Sequence, residues 1–438
     1  MSDDSRFKPS TSRFTRFARL AGLGARLSTE VMSQGVKKLA FARSTEGLLG
    51  HVGAEKLVET LGEMKGLAMK LGQAMSMNPD QLPPEVRAVI ARLQNQAPPM
   101  PWATVREVVR RELGGLPEEK YAHFDSVPLA SASLGQVHRA VTFEGREVVV
   151  KVQYPQIDQA MLADLANLGS VVSVVSRGVG LTDGAAYFAE LRAELLKELD
   201  YREEAARARE YAAAARCAPA LVVPEPVEAL TAERVLTLEL VHGETLKDVL
   251  GRIDQVPNDE RFRVSRLLIQ AIWAPFLSTG VIHADPHPGN FILLPDGRMA
   301  VLDFGSVKRL SQGWIDVNRR MFGWILQGRP LDMVGLSREA GFTITLEDAQ
   351  AEPFISGVIQ IACAPVRGRD FDFATADTTR LLRDHFLRHA FKVPQVRPPT
   401  EGVMFYRALG GLIQDLQNLR ARGDFRGVYE ELEALIPS

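Results

Sequence analysis

The stretch HADPHPGNFILLPDGRMAVLDFG, residues 283–305, constrains the fold of this chain more than any other. Two short apolar segments flank residues 295–297, a pattern typical of two strands joined by a tight turn. Asp285 and Asn290 precede this hairpin, and Asp303 follows it. Phosphoryl transfer needs a carboxylate beside the nucleophile and oxygen ligands for magnesium beside the phosphates. The stretch therefore predicts a phosphoryl-transfer site built around the hairpin.

Each polar side chain of the stretch has a predicted role. Asp285 is expected to orient the attacking group, and Asn290 and Asp303 are expected to hold Mg²⁺ against the phosphate oxygens. A metal site formed by His283, His287 and Asp285 is an alternative, but it leaves Asn290 and Asp303 without a role. A solvated polar turn is the other alternative. The presence of both fragments around one hairpin favours phosphoryl transfer.

A lysine stands near the end of a valine-rich strand pattern, EVVVKV, upstream of this stretch. Lys151 is therefore predicted to contact the phosphates. Because an unpaired buried ammonium group is costly, a carboxylate partner is expected. The helical segment KELDYREEAARA offers Glu198, Asp200, Glu203 and Glu204, of which Glu204 is the predicted partner. A solvated, charged helix face is the alternative, above all for Glu203.

The loop that would cover the phosphates contains small residues in place of glycine. It reads PLASASLGQVH, and the residues predicted to bind the nucleotide are Ala130, Ser131, Ala132 and Ser133. Small side chains still allow backbone amides to approach a phosphate, although alanine restricts the backbone more than glycine does. A plain tight turn is the alternative.

Helical and strand patterns divide the chain into four sections. We predict a basic segment over 1–50, a helical extension over 51–117, a β-rich lobe with long helices over 118–240, and a helical lobe over 241–438. This order predicts an α+β, protein-kinase-like bilobal fold. The helical extension is expected to pack over the active site.

Individual helices are predicted from apolar residues at steps of three and four. They cover residues 55–77, 85–94 and 103–113, and an amphipathic helix covers 261–279. A long helical region is predicted from about 156 to 214. From Trp314 onwards the pattern is mostly helical.

Amino-acid composition indicates which partners and which cellular compartment to expect. The 438 residues carry a formal net charge of −2, so no basic field indicates nucleic acid. Two cysteines without metal-ligand spacing suit a reducing compartment. The sequence favours a cytoplasmic protein. The first forty residues mix arginine with phenylalanine, which fits a membrane-surface segment, an organelle transit peptide or a frayed terminus.

Together these residues resemble the UbiB family of atypical, protein-kinase-like proteins, which is linked to ubiquinone biosynthesis. The matching motifs lie over roughly residues 55–310 and are KLGQ, ASAS before GQVH, VVKVQYP, ELDYREEA, HADPHPGN and DFG. The resemblance implies that Lys70 and Gln73 lie on a signature helix across the active site. It also implies catalytic roles for Glu198 and Asp200, with Glu198 as the partner of Lys70.

The resemblance implies an enzyme that uses ATP and Mg²⁺, as an ATPase or a small-molecule or lipid phosphotransferase in quinone or isoprenoid-lipid metabolism. Glu239 and Val241, at the end of the strand connecting the lobes, are further nucleotide-contact candidates. Ala284 stands where protein kinases carry arginine, and no Ala-Pro-Glu follows Asp303. Phosphorylation of proteins is therefore expected to be suppressed, with the helix carrying Lys70 in the space that a protein substrate needs.

The predicted partners are ATP, a lipid or quinone precursor, proteins of quinone biosynthesis and the surface of a membrane, without nucleic acid. A nucleotide-gated lipid-binding or scaffold protein with little turnover is the alternative function. A small-molecule kinase of the antibiotic or choline type ranks last, because it does not account for KLGQ.

Overall fold

The computed structural model describes residues 100–132, 134–155, 157–158 and 199–436. The helices predicted at 55–77 and 85–94 lie outside these described residues. The described chain divides into two compact units. Unit 1 contains the described residues up to Glu203 together with Val227–Leu238, and unit 2 contains Glu204–Pro226 and the residues from Glu239 onwards. The four sections predicted from the sequence stay a prediction.

Helices and strands alternate in the first half of the described chain, and helices dominate the second. The α-helices are α1 Trp102–Leu113, α2 Pro117–Lys120, α3 Tyr201–Ala214, α4 Leu246–Gly251, α5 Asn258–Thr279, α6 Gln312–Leu326, α7 Met333–Glu339, α8 Asp348–Ala362, α9 Thr378–Arg388, α10 Thr400–Leu419 and α11 Phe425–Glu433. The strands are β1 His123–Phe124, β2 Ala130–Ala132, β3 Gly135–Val141, β4 Glu147–Gln153, β5 Leu221–Val222, β6 Val235–Glu239, β7 Glu244–Thr245, β8 Val281–His283, β9 Phe291–Leu293, β10 Met299–Val301, β11 Val307–Arg309, β12 Thr343–Ile344, β13 Phe371–Asp372, β14 Val396–Arg397 and β15 Arg422–Gly423.

Unit 1 is built on a sheet whose strand order is β1–β3–β4–β6, with β2 paired to β3. Along β4, alternate valines are buried, and they form a core with the buried valines of α1. This alternation places one face of β4 against α1 and leaves the residues between the valines on the opposite face. Helix α1 ends at Gly114 with φ 70°, a left-handed conformation that glycine adopts without steric cost. The helix predicted at 103–113 is confirmed.

The residues GQVH of β3 form a buried hydrogen-bond chain in unit 1. Gln136 Oε1 accepts from the backbone N–H of Met100 at 2.7 Å, and its Nε2 donates to His138 Nε2 at 2.8 Å. His138 Nδ1 donates to the carbonyl oxygen of Asp125 at 2.8 Å. Gly135 starts the strand, where a Cβ atom would collide with the backbone of Val152 on β4. These motif residues therefore hold β3 against its neighbours.

Because of His138, the protein is expected to lose stability as the pH falls below about 6.5. Burial lowers the pKa of His138, and the carbonyl of Asp125 opposes this only in part. The unfolded chain therefore binds this proton first, and stability declines from the unfolded pKa downwards until the lowered folded pKa is passed. Urea unfolding of wild type and His138→Gln between pH 7.5 and 5.5 measures this loss of stability, which should be smaller in the variant. Equal losses in the two proteins would show that His138 does not cause the pH dependence.

The core of unit 2 surrounds α5, which is buried on nearly every side between Leu267 and Leu277. The helix predicted over 261–279 is present and ends at Thr279 as predicted, but it begins three residues earlier, at Asn258. It was predicted to be amphipathic, and this part is wrong, because other elements cover both of its faces instead of one. A periodic pattern does not reveal the second covered face, because residues such as Ser265 and Ala271 are also buried.

A proline in the middle of α5 is compensated by a tyrosine of α3. Pro275 has no N–H, so the carbonyl of Ala271 loses its usual helical donor. The hydroxyl of Tyr211 donates to this carbonyl at 2.6 Å. Tyr211 is fully buried, and burial raises its pKa. This bond fixes α3 to α5 inside unit 2.

Helix α3 is the described end of the helical region predicted over about 156–214. Within this region Leu199 and Asp200 are not helical, and α3 begins at Tyr201. Asp200 explains the start, because its Oδ1 accepts from the backbone N–H of Arg202 at 2.9 Å as an N-terminal cap does. Residues 159–198 lie outside the described part of the chain.

Two small sheets in unit 2 position the loops of the predicted site. Strands β9 and β10 pair antiparallel across residues 294–298, which confirms the predicted hairpin. They belong to a sheet of order β5–β10–β9–β7. Strand β11 pairs antiparallel with β8, with Val307 opposite His283. This second pairing was not predicted.

The predicted predominance of helices after Trp314 is confirmed. Three of them, α6, α10 and α11, contribute to the core around α5, where aromatic side chains pack. The ring of Phe405 on α10 lies 4.8 Å from Phe276, centroid to centroid, and 5.9 Å from Trp273. Phe405 is 1% exposed. Helix α10 is therefore anchored in the core of unit 2.

Candidate active site

The loop HADPHPGN connects β8 to β9 in unit 2. His283, the last residue of β8, is fully buried, and Ala284 behind it is also buried. The backbone N–H of Ala284 donates to the carbonyl of Ser306 at 3.1 Å, which continues the pairing of β8 with β11. The loop then turns through a 3₁₀ helix, Pro288–Asn290. Backbone hydrogen bonds therefore hold the loop that carries these polar side chains.

His283 ties the loop to the Asp-Phe-Gly segment. Its Nε2 donates to the carbonyl oxygen of Asp303 at 2.8 Å and lies 3.1 Å from that of Leu302. Its Nδ1 accepts from the backbone N–H of Asp285 at 3.4 Å. Both ring nitrogens are therefore engaged by the fold. The alternative metal site with His287 and Asp285 receives no support from this geometry.

Asp303 has an uncommon backbone conformation. Its φ is 58°, in the left-handed region that residues other than glycine seldom adopt. Its Oδ1 accepts from the N–H of Gly305 at 3.3 Å. Phe304 is fully buried against Tyr211, and Arg207 of α3 donates to the carbonyl of Gly305. The surrounding contacts therefore hold Asp303 in a conformation that is unfavourable by itself.

Asp285 and Asn290 are in direct contact. Asn290 Nδ2 lies 3.3 Å from Asp285 Oδ2 and 3.0 Å from the backbone carbonyl of Asp285. The backbone N–H of Leu302 donates to the carbonyl of Asn290 at 2.8 Å, one residue before Asp303. The structure thus brings Asp285 and Asn290 together and places Asp303 next to the residue that is bonded to Asn290.

An arginine that sequence reasoning did not assign contacts this group. Arg407 of α10 places Nη2 3.1 Å from Asp285 Oδ1. The only sequence signal was the segment RALGGL, residues 407–412, whose role was left open. One turn further along α10, a Cβ atom on Gly411 would overlap the ring of Pro286. The glycine therefore lets the helix lie directly on the loop.

Two of the predicted nucleotide-binding residues share one face of the sheet in unit 1. Ala130 of β2 and Lys151 of β4 are both register partners of Val137 on β3. Directly paired residues of antiparallel strands point to the same face, so Ala130, Val137 and Lys151 form a row. Lys151 is half-buried on the face opposite the core with α1. Ser131 and Ala132 belong to the same strand, and Ser133 lies outside the described residues.

The carboxylates proposed for α3 occupy different surroundings. Asp200 caps the helix, and Arg202 forms two hydrogen bonds with its carboxylate, both at 3.0 Å. Glu204 is buried, with 8% of its surface exposed. Its pairing with Lys151 stays a prediction, since the two residues belong to different units.

The remaining candidates are only partly described. Glu239 ends β6 and accepts from the backbone N–H of Glu225 at 3.4 Å, and Val241 is half-buried two residues later. Lys70, Gln73 and Glu198 lie outside the described residues, so their predicted roles are carried forward as proposals.

The donor set around Asn290 suits magnesium better than a softer metal. With its nitrogen donating to Asp285, the amide oxygen of Asn290 is the atom that a cation would use, and Asp303 supplies a carboxylate. Mg²⁺ prefers such oxygen ligands and needs only one or two from the protein when phosphates and water complete the shell. Within the described ranges, no group of three or more His, Cys, Asp or Glu side chains is arranged as a metal site.

Comparison with known proteins agrees with this geometry. The domain family described as ABC1 atypical kinase-like domain matches residues 92–328, more than half of the chain. The chain is 30% identical to "Atypical kinase coq-8, mitochondrial" of Caenorhabditis elegans over 96% of its own length and 54% of that protein. It is 26% identical to "Atypical kinase COQ8, mitochondrial" of Saccharomyces cerevisiae, over 92% and 81% of the two chains.

A solved structure extends the similarity to the fold. It is that of Rv3197 from Mycobacterium tuberculosis in complex with erythromycin, with a TM-score of 0.62 and 28% identity. The match covers 92% of this chain and 98% of that one. The chain spans about half the length of the nematode relative. In the part of the chain that is described, helices long and apolar enough to cross a bilayer are absent.

Proposed function

The chain belongs to the ABC1 atypical kinase-like family, and we propose that it is a magnesium-dependent enzyme that transfers the γ-phosphoryl group of ATP to water or to a small lipid-like acceptor. The family match and the kinase-like fold agree with the resemblance to UbiB proteins. Substrate and partners are inferred from the site, because the relatives differ in length from this chain.

The observation that carries the proposal is the shared support of Asp285, Asn290 and Asp303. Asn290 contacts Asp285 through its side chain, and backbone hydrogen bonds join this loop to the residues around Asp303. Phosphoryl transfer depends mainly on positioning and on stabilising charge, so a rigid support for these groups is the expected design. A solvated polar turn would not need a buried histidine and a strained aspartate to hold it.

In the proposed reaction Asp285 receives the proton of the attacking O–H group. A bond forms from that oxygen to the γ-phosphorus, the bond from this phosphorus to the β–γ bridging oxygen breaks, and ADP leaves. Asn290 and Asp303 would hold Mg²⁺, which when bound neutralises charge on the phosphate oxygens. Lys151 and Ala130, which share a sheet face, would contact the phosphates from unit 1. Lys151 would be held by Glu204.

Large protein substrates fit this chain poorly. Only residues 306–311 separate Gly305 from α6, and three of these belong to β11. A segment of this length leaves no platform for a peptide. We propose in addition that the helix carrying Lys70 and Gln73 covers the site, with Glu198 as the partner of Lys70. This part rests on sequence resemblance.

An exposed surface on α9 and the following residues supports a lipid partner. Five large apolar side chains are exposed there, namely Leu381, Phe386, Leu387, Phe391 and Val393. Over residues 377–397 there are five Lys or Arg residues and two Asp residues, a local charge of +3 without the histidines. Apolar side chains surrounded by cations suit an anionic bilayer surface. We propose peripheral membrane attachment here, in keeping with a role in ubiquinone or other isoprenoid-lipid metabolism; the compartment stays a prediction.

Product analysis from γ-labelled ATP tests the proposal. The purified chain is incubated with Mg²⁺, with and without vesicles of anionic phospholipid and with phenolic quinone precursors. ADP is expected to form, with label in phosphate or in a lipid-like product, and vesicles should increase the rate. Lys70→Ala should change nucleotide affinity or turnover. The triple variant Phe386→Ser, Leu387→Ser, Phe391→Ser should lose the response to vesicles while keeping its basal rate.

The outcomes separate the two candidate functions. Tight ATP binding without ADP formation under every condition would favour the nucleotide-gated lipid-binding or scaffold protein. Label transferred to an added protein would contradict the exclusion of peptides. A triple variant that still binds and responds to vesicles would remove α9 from the lipid proposal and leave the enzymatic proposal intact.

A further inference from the structure

We propose that Arg407 is a positioning residue for the carboxylate of Asp285, an inference that rests on the proposed role of Asp285 in catalysis. The two residues are 122 positions apart in the sequence, yet Nη2 of Arg407 lies 3.1 Å from Oδ1 of Asp285. Their side chains are 24% and 20% exposed. This partial burial distinguishes the pair from surface ion pairs of unit 2 such as Arg266 with Glu431, which are 45% and 56% exposed.

The contact fixes the orientation of the carboxylate. Oδ1 accepts from Arg407 and Oδ2 accepts from Asn290 at 3.3 Å, so one donor holds each oxygen. Each carboxylate oxygen can accept a second hydrogen bond, and that capacity serves the O–H group of the nucleophile. Without Arg407, the carboxylate is held from one side only and can rotate about its χ2 bond.

Helix α10 delivers Arg407 on a rigid support. Phe405, two residues earlier, is packed in the aromatic core, and Gly411, one turn later, lies against Pro286 of the same loop. The helix therefore touches the catalytic loop at two points, through a charge pair and through a close backbone approach. A planar guanidinium group in a fixed position suits the orientation of a carboxylate better than a flexible ammonium group does.

A second possible role for Arg407 makes different predictions. If the guanidinium group instead bound the transferred phosphate, its loss would raise the KM for MgATP, and it would add to the loss of Asp285. If it orients Asp285, its loss lowers kcat with little change in KM, and it has no further effect once Asp285 is gone.

Steady-state kinetics of Arg407→Met, Arg407→Lys, Asp285→Asn and the double variant Asp285→Asn/Arg407→Met test the assignment. We expect Arg407→Met to lower kcat about tenfold to a hundredfold, the effect of a misplaced catalytic group. The KM should stay within about threefold, and Arg407→Lys should restore part of the rate. The double variant should match Asp285→Asn within about twofold. Arg266→Met is the matched control, with unchanged kcat.

Two results would overturn the proposal: wild-type kcat in Arg407→Met, or additive losses in the double variant. A double-mutant cycle on urea unfolding tests the pair without any turnover, using wild type, Arg407→Met, Asp285→Asn and the double variant. Asp285 and Arg407 should be coupled by about fivefold in the unfolding equilibrium constant. A coupling factor of one would mean that the two side chains do not stabilise each other, which would contradict the ion pair. If the wild-type protein formed no ADP, the proposed function would be contradicted. The unfolding cycle would still show whether Arg407 and Asp285 interact.

Discussion

Asp303→Asn is expected to abolish magnesium-dependent ATP binding and to lower turnover at least about a hundredfold, or about 2.7 kcal/mol of transition-state stabilisation. The substitution removes the charge that Asp303 offers to the metal. It preserves the backbone, because asparagine tolerates the left-handed conformation seen at φ 58°. Calorimetric titration with ATP, with and without Mg²⁺, measures the binding, and ADP formation measures the turnover.

The hairpin between β9 and β10 contains a matched control for this change. Asp296 is exposed and pairs with Arg298 at 2.7 Å, seven residues before Asp303. Asp296→Asn makes the same chemical change in the turn of the hairpin that precedes Asp303, and it should leave both measurements at the wild-type level. Retention of magnesium-dependent binding in Asp303→Asn would refute the assignment of this residue as a metal ligand.

Phe405→Ala is expected to cost about 3–5 kcal/mol of the free energy of unfolding, the usual range for removing a buried aromatic ring. The ring is 1% exposed and lies within 6 Å of Trp273, Phe276 and Trp314. Because domains are stable by only about 5–15 kcal/mol, such a loss is a large share of the total. Urea unfolding followed by tryptophan fluorescence reports it.

Phe391→Ala is the control, since it deletes the same ring where 92% of the residue is exposed. Its effect on stability should stay within about 0.5 kcal/mol. A similar shift in both variants would mean that the fluorescence change does not report the core around α10. A stable Phe405→Ala protein would contradict the anchoring of α10 by this ring.

Local patterns were sufficient to predict the hairpin and the strand bearing Lys151. The turn residues between β9 and β10 mark the hairpin, and the alternating valines of β4 predict its two faces. Both features depend on neighbours within a few residues, and this is the range in which turn chemistry and periodicity are informative.

The contact between Arg407 and Asp285 could not be predicted in this way. It depends on how α10 packs against the loop HADPHPGN, and neither the aromatic core nor Gly411 shows its partner in the sequence. The pairing of β11 with β8 was missed for the same reason, because three residues give no reliable strand pattern. The covered second face of α5 was also missed, because small residues such as Ser265 and Ala271 are buried along with the large apolar ones.

The immediate pairing of β11 with β8 has a consequence for how activity can be regulated. In many kinases, a long segment after the Asp-Phe-Gly glycine is remodelled when a hydroxyl group on it is modified, and this turns the enzyme on. Here the chain passes from Gly305 into β11 and then, after Leu310 and Ser311, into α6. An upstream kinase therefore has no such segment to act on. The rate of the proposed reaction would instead depend on the concentrations of nucleotide and acceptor.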